Sequence, residues 1–245
     1  MAGRTLEELG LAEAPRDHPL LYPGAWPTGS ALLCGDRMLP LDRLVHDDRV
    51  PVLAVGSNAC PGQLRDKIGR FADDRSVPMV RTRVSGLAVG VSAHVSRMGY
   101  VSASPVRSPG SSAELFVLWL TPWQLAVVDA SEGVPLPDGN FRRAWLPSAD
   151  VRVVLTDGRL LPGVHAYVNA HGVLRNAEGA PRDHPGQWPL LEELLEHAEL
   201  RELFGDTPRE FTDRARVDAE LCARGTRLFR ELGWVTESGL ERYVT

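Results

Sequence analysis

The chain has 245 residues and a formal net charge of −5, with 43% hydrophobic and 24% charged residues. That length is ample for a hydrophobic core, the composition excludes disorder and fibrous structure, and the acidic balance argues against nucleic acid or an anionic membrane as partner. No apolar run reaches the length of a membrane span and the N-terminus lacks the apolar stretch of a signal peptide, so a cytoplasmic protein is expected. Three distant cysteines, Cys34, Cys60 and Cys222, suit a reducing compartment.

Residues 1–50 read as an N-terminal extension. A short amphipathic stretch at Leu6 to Leu9 leads into Pro- and Gly-rich chain, and Ser30 to Leu41 predicts a strand pair turning at Gly35-Asp36. Val52 to Val55 then predicts a buried strand. It runs into Gly56-Ser57-Asn58, small residues free to take unusual backbone angles, and into a helix with Cys60 as N-cap, Pro61 at its first position and Leu64 with Ile68 as an apolar pair. A strand-turn-helix of this kind gathers unpaired N–H groups, and such a place binds carboxylates or phosphates.

Val77 to Ser92 predicts a long strand bent at Gly86 or Gly90, and Met98 to Pro105 and Ala113 to Leu120 predict two more joined by a Pro-Gly-rich turn over 105–112. From Thr121 to Gly133 the helix signals are complete: Thr121 as N-cap, Pro122 at the first position, Gln124 closing a capping box and Gly133 as C-terminal stop. Leu125, Val128 and Glu132 share one face, which turns Glu132 inward. An apolar surround and the negative end of the helix dipole would both raise its pKa, as a general acid-base carboxylate at neutral pH requires.

Val151 to Leu155 and Leu160 to Val168 predict a hairpin around Asp157-Gly158, and 171–188 reads as loop. Two helices follow, one with Leu190, Leu191, Leu194, Leu195 and Ala198 on its apolar face, the other opening at Thr207-Pro208-Arg-Glu210 and carrying Phe211, Val217, Leu221, Leu228 and Leu232. The seven histidines show no paired spacing and no Cys-x-x-Cys occurs, so no metal is expected.

Four segments in order carry a family resemblance. Ala54-Val55-Gly56-Ser57-Asn58 resembles the Tyr-Gly-Ser-Asn loop of the gamma-glutamylcyclotransferase-like proteins. Asp129-Ala-Ser-Glu132-Gly133 is similar to that family's segment bearing its acid-base glutamate, and Asn140-Phe-Arg-Arg143 with Tyr167-Val-Asn169 is similar to its later strands. The resemblance covers about 52–170. It implies an α+β fold, a small mixed β-barrel with packed helices, for a domain over 51–170 that follows the extension; the helical C-terminal region, 171–245, is expected to pack on the same domain.

The resemblance further implies a cofactor-independent cyclotransferase acting on a small-molecule γ-glutamyl amine or amide. Glu132 would be general acid and base, and Val55, Gly56, Ser57, Asn58, Ala59 and Phe141 would line the substrate site, with the α-carboxylate on the amides of Gly56 to Ala59. Val55 and Phe141 stand where the family usually has tyrosine. Two other readings stay open: a Cys60 nucleophile paired with His94 for amide hydrolysis or acyl transfer, and a non-catalytic binding module on the same fold. The oligomeric state is open.

Overall fold

A computed structural model of the chain describes residues 3–44, 46, 48–69 and 76–245; Met1, Ala2, Val45 and Asp47 of the N-terminal extension lie outside the described residues. In chain order the elements are β1 (Arg4–Thr5), β2 (Ala31–Cys34), β3 (Arg37–Pro40), β4 (Val50–Ala54), α1 (Pro61–Ile68), β5 (Ser76–Val95), β6 (Val101–Leu120), α2 (Pro122–Glu132), β7 (Phe141–Pro147), β8 (Arg152–Leu155), β9 (Gly163–Asn169), β10 (Val173–Leu174), α3 (Gln187–Leu194), α4 (Ala198–Phe204), α5 (Pro208–Val217), α6 (Ala219–Glu231) and β11 (Val235–Thr236). The class is α+β, as expected. The pairing path runs β1-β3-β2-β5-β6-β4-β9-β7, with β4 and β9 parallel, so the expected mixed barrel takes the form of an open mixed sheet among the described residues.

The spine is the antiparallel pair of β5 and β6, twenty residues each. Here the structure corrects the sequence reading, because 101–120 is one strand and the expected turn over 105–112 lies inside it. What the Pro-Gly segment marks is a bulge: pairing jumps from Ser85↔Ser112 to Gly86↔Ser108, leaving 109–111 unpaired. Gly86 has φ +90°, and a Cβ there would lie 2.4 Å from the Asp150 carbonyl oxygen, so both angle and space require glycine.

Alternate residues of the central strands feed two cores. Val52, Ala54, Phe116, Leu118 and Leu120 pack with Leu64 and Ile68 of α1 and Val128 of α2, while Leu53, Leu115, Val117 and Trp119 pack with Ala144, Val153 and Val164. β2 and β3 form the expected strand pair, and β2 adds it to the edge of β5. The turn at Asp157-Gly158 forms, with Leu161 N–H on the Val153 carbonyl, but the hairpin goes no further: β8 pairs with β5, and β9 leaves to pair with β4 and β7. A long-range partner overrides the local one.

The two C-terminal helices expected are four. The first breaks at 195–197, between Leu195 as C-cap of α3 and His197 as N-cap of α4, and the second breaks at Asp218, which caps α6 by accepting from Leu221 N–H, so each predicted helix is split. Val217, expected on the apolar face, is 86% exposed at the break. Phe204, Phe211 and Phe229 form a third core against Val91, Ala93, Val95 and Val101 at the tip of the long hairpin. No helix among the described residues is long and apolar enough to cross a membrane.

Candidate active site

β4 ends at Ala54, and Ser57–Ala59 forms one 3₁₀ turn before Pro61 opens α1. Ala59 N–H bonds the Gly56 carbonyl and Cys60 N–H bonds that of Ser57, each at 3.0 Å. The amide of Ala59 is therefore spent on the turn, and its side chain is fully buried in the core. Gly56 has φ −143°, so positive φ is not the reason for glycine here. The reason is steric: a Cβ would lie 2.3 Å from the hydroxyl oxygen of Tyr22. That hydroxyl accepts from Ala103 N–H at 2.8 Å, and the Tyr22 ring lies against Tyr100 with centroids 4.5 Å apart. The N-terminal extension thus delivers a phenol to the loop where Val55 brings none.

α2 holds its ends as the sequence signals indicate. Both bonds of the capping box are present, and Gly133 takes the left-handed conformation at φ +77°. In the last turn Asp129 faces the sheet, where its carboxylate is paired with Arg143 and accepts from the Tyr167 hydroxyl at 2.8 Å. Three residues on, at the end of the helix, comes Glu132. Its surround is not apolar, contrary to expectation: Oε1 accepts from Lys67 Nζ at 2.7 Å and from Asn58 Nδ2 at 3.1 Å, and Lys67 Nζ also donates to Asn58 Oδ1 at 2.7 Å. These side chains are sheltered, at 9% exposure for Lys67 and 14% for Glu132. Oε2 has no protein partner among the described residues.

This triangle and the Gly56 loop share one cavity of about 790 Å³. That volume suits a small molecule. Val55, Gly56, Ser57, Asn58, Glu132 and Phe141 all line it; Ala59 does not. Lys67, Tyr22, Tyr100, Tyr167, His94 and His171 also line it and were not assigned to a substrate site from the sequence. Burial pushes the hydroxyls of Tyr22, Tyr100 and Tyr167 far above the ordinary phenol range, so they remain protonated. Cationic residues of the lining (Arg16, Lys67, Arg97, Arg227 and Arg230) outnumber the acids Glu132 and Asp138, a bias toward anionic groups within an acidic chain.

Cys60 and His94 are not brought together. Cys60 occupies the N-cap position of α1, but its fully buried thiol donates to the Glu13 carbonyl at 3.3 Å, outside the cavity lining, and burial raises its pKa. His94 is bonded to Asn169 instead. A helix N-cap cysteine signals thiolate chemistry only when it is accessible.

No family model matches the chain, and no curated protein matches it. Among solved structures it is similar to a gamma-glutamyl cyclotransferase at 12% identity, over 80% of this chain and 94% of that one, with a TM-score of 0.39. A yeast gamma-glutamyl cyclotransferase specific to glutathione is similar at 10% identity, over 76% and 96% of the two chains, TM-score 0.35. A protein of Arabidopsis thaliana solved in solution is similar at 17% identity, over 64% and 89%, TM-score 0.38. The structural neighbours thus include gamma-glutamyl cyclotransferases; at these identities and TM-scores neither a family nor a residue role passes from them to this chain.

Proposed function

We propose that the chain is a cyclotransferase that releases 5-oxoproline and a free amine from a γ-glutamyl amine or amide. The observation that carries the reading is the placement of Glu132, an ion-paired carboxylate with one oxygen unbonded among the described residues, on the same cavity as the Gly56-Ser57-Asn58 turn. The substrate α-carboxylate is held by the amides of Gly56 and Asn58 and by Lys67. The α-ammonium gives a proton to Glu132 Oε2, and the freed amine attacks the γ-carbonyl carbon. Collapse of the adduct breaks the bond to the departing nitrogen, which takes the proton back from Glu132. The attacking nitrogen loses two protons on becoming the lactam N–H and the departing one gains two, so one carboxylate acting twice suffices.

Lys67 Nζ engages Glu132 Oε1 at 2.7 Å and leaves Oε2 to take the proton. The same ion pair favours the second reading, a binding module in which Glu132 only anchors Asn58 and Lys67. One assay separates the two: 5-oxoproline release from a panel of γ-glutamyl amino acids, γ-glutamyl amines and glutathione, by wild type and Glu132→Gln. The glutamine keeps an oxygen for Lys67 and Asn58 but has no basic oxygen, so turnover should fall by about 10²–10⁴-fold with the fold retained. Equal turnover by both proteins would remove Glu132 from the chemistry.

A further inference from the structure

At one end of the cavity sits a histidine that the proton transfers above do not use. His94 is 2% exposed, on the last turn of chain in β5 before the hairpin tip, and its ring lies edge-on to Phe141, with centroids 5.4 Å apart and planes at 87°. His171 stacks beside it at 5.8 Å. One chain of hydrogen bonds fixes which nitrogen carries the proton. His171 N–H donates to Asn169 Oδ1 at 2.9 Å, which orients the Asn169 amide and leaves its Nδ2 facing His94 Nδ1 at 2.8 Å. Asn169 Nδ2 can only donate, so His94 Nδ1 must accept, and the single proton of the neutral ring is on Nε2.

Nε2 has no protein partner among the described residues, yet it is not one of the sealed polar atoms without partners; the cavity is what it meets. A buried N–H donor held in place by backbone, amide and aromatic packing, and turned to a cavity, is built for an acceptor that arrives with the ligand. We propose that His94 is the electrophilic donor of the site, its Nε2–H bonding the γ-carbonyl oxygen of the substrate and the oxyanion into which attack converts it, with Asn169 as the residue that positions it. This rests on the cyclotransferase reading. When the amine nitrogen bonds the γ-carbon, the C=O π pair moves onto that oxygen, and it returns as the C–N bond to the leaving amine breaks; His94 donates a hydrogen bond throughout and no proton leaves it.

A neutral donor suits this task because it neither protonates the attacking amine nor titrates in the working range. Burial, aided by His171, holds the imidazole of His94 neutral, with its pKa lowered to about 3. The placement of Phe141 also takes on a meaning. Its ring packs T-shaped with that of His94 and so helps to hold the donor in place.

The test combines two readouts. In ¹⁵N-histidine-labelled protein, with the His94 signals identified by their loss in His94→Phe, the resting ring should be the Nε2–H tautomer, and 5-oxoproline, whose lactam oxygen is the oxygen in question, should shift that N–H proton downfield. In the turnover assay His94→Phe should lower kcat by about 10²–10³-fold with KM little changed, and His94→Gln, whose amide N–H reaches a similar point, should recover about tenfold or more of that loss. An Nδ1–H tautomer, an imidazolium, or full kcat in His94→Phe would overturn the proposal even if wild type releases 5-oxoproline. A shifted Nε2–H in a protein that turns over nothing would keep the donor and discard the cyclotransferase reading.

Discussion

Gly56 is a glycine because of a tyrosine 34 residues earlier, which makes it a residue-scale test of the site. Gly56→Ala puts a methyl where the Tyr22 hydroxyl oxygen is, at 2.3 Å, and should cost about 1–3 kcal/mol, the usual range for overpacking. Tyr22→Phe removes that oxygen and leaves the ring carbon at 3.3 Å, so the double variant should be more stable than Gly56→Ala alone. Chemical denaturation of the three variants checks this, and additive losses would contradict it. Lys67→Met tests the other arm: it strips Glu132 of its cation and should lower turnover by about 10²-fold and stability by about 1–3 kcal/mol, since a sheltered carboxylate loses its charged partner. Neither Tyr22 nor Lys67 could be found by reading along the chain. Their partners Ala103 and Glu132 lie 81 and 65 residues away, and no local pattern encodes such a meeting.

At the scale of elements, what was legible is what short-range chemistry decides. The N-cap Thr121, the capping box and the Gly133 stop all act within a helix of eleven residues, so the bounds of α2 and the inward turn of Glu132 could be read directly. Thr121→Ala should cost about 1 kcal/mol, measured as a shift in the unfolding midpoint; no shift would show that the cap is redundant with packing. The turn expected over 105–112 and the hairpin expected between β8 and β9 fail for one shared reason. Each segment carries turn residues, and in each the strand β5 supplies a longer partner that converts the turn into a bulge or cuts the hairpin short. Asp129 shows a motif dividing its labour: it ties the end of α2 to Arg143 and Tyr167 while Glu132 faces the cavity. Asp129→Asn should therefore weaken kcat through misplacement of Glu132, and a kcat equal to wild type would mean that Gly133 and the capping box position it unaided.

Across the whole molecule, the cavity is assembled from every part of the chain: Tyr22 from the extension, the Gly56 loop, Glu132 after the long hairpin, and Thr226 and Arg230 from α6. The acidic total charge gave no hint of a lining richer in cations, because composition does not record placement. Buried histidines also set how the fold responds to acid. Burial lowers the pKa of His94 from 6.5 to about 3, and lowers those of His171 and His184 as well. These groups take up protons more readily unfolded than folded, so their contribution is lost as pH falls, and for His94 the loss runs from pH 6.5 down toward 3. Stability measured across that window should fall more steeply for wild type than for His94→Phe, and equal slopes would contradict the burial of a neutral ring. The most direct measurement on the central claim is the fate of solvent oxygen during turnover of γ-glutamyl substrates in ¹⁸O-water. Attack by the substrate's own amine predicts 5-oxoproline without label and no glutamate. Labelled glutamate, or no turnover of any γ-glutamyl substrate, would contradict the account.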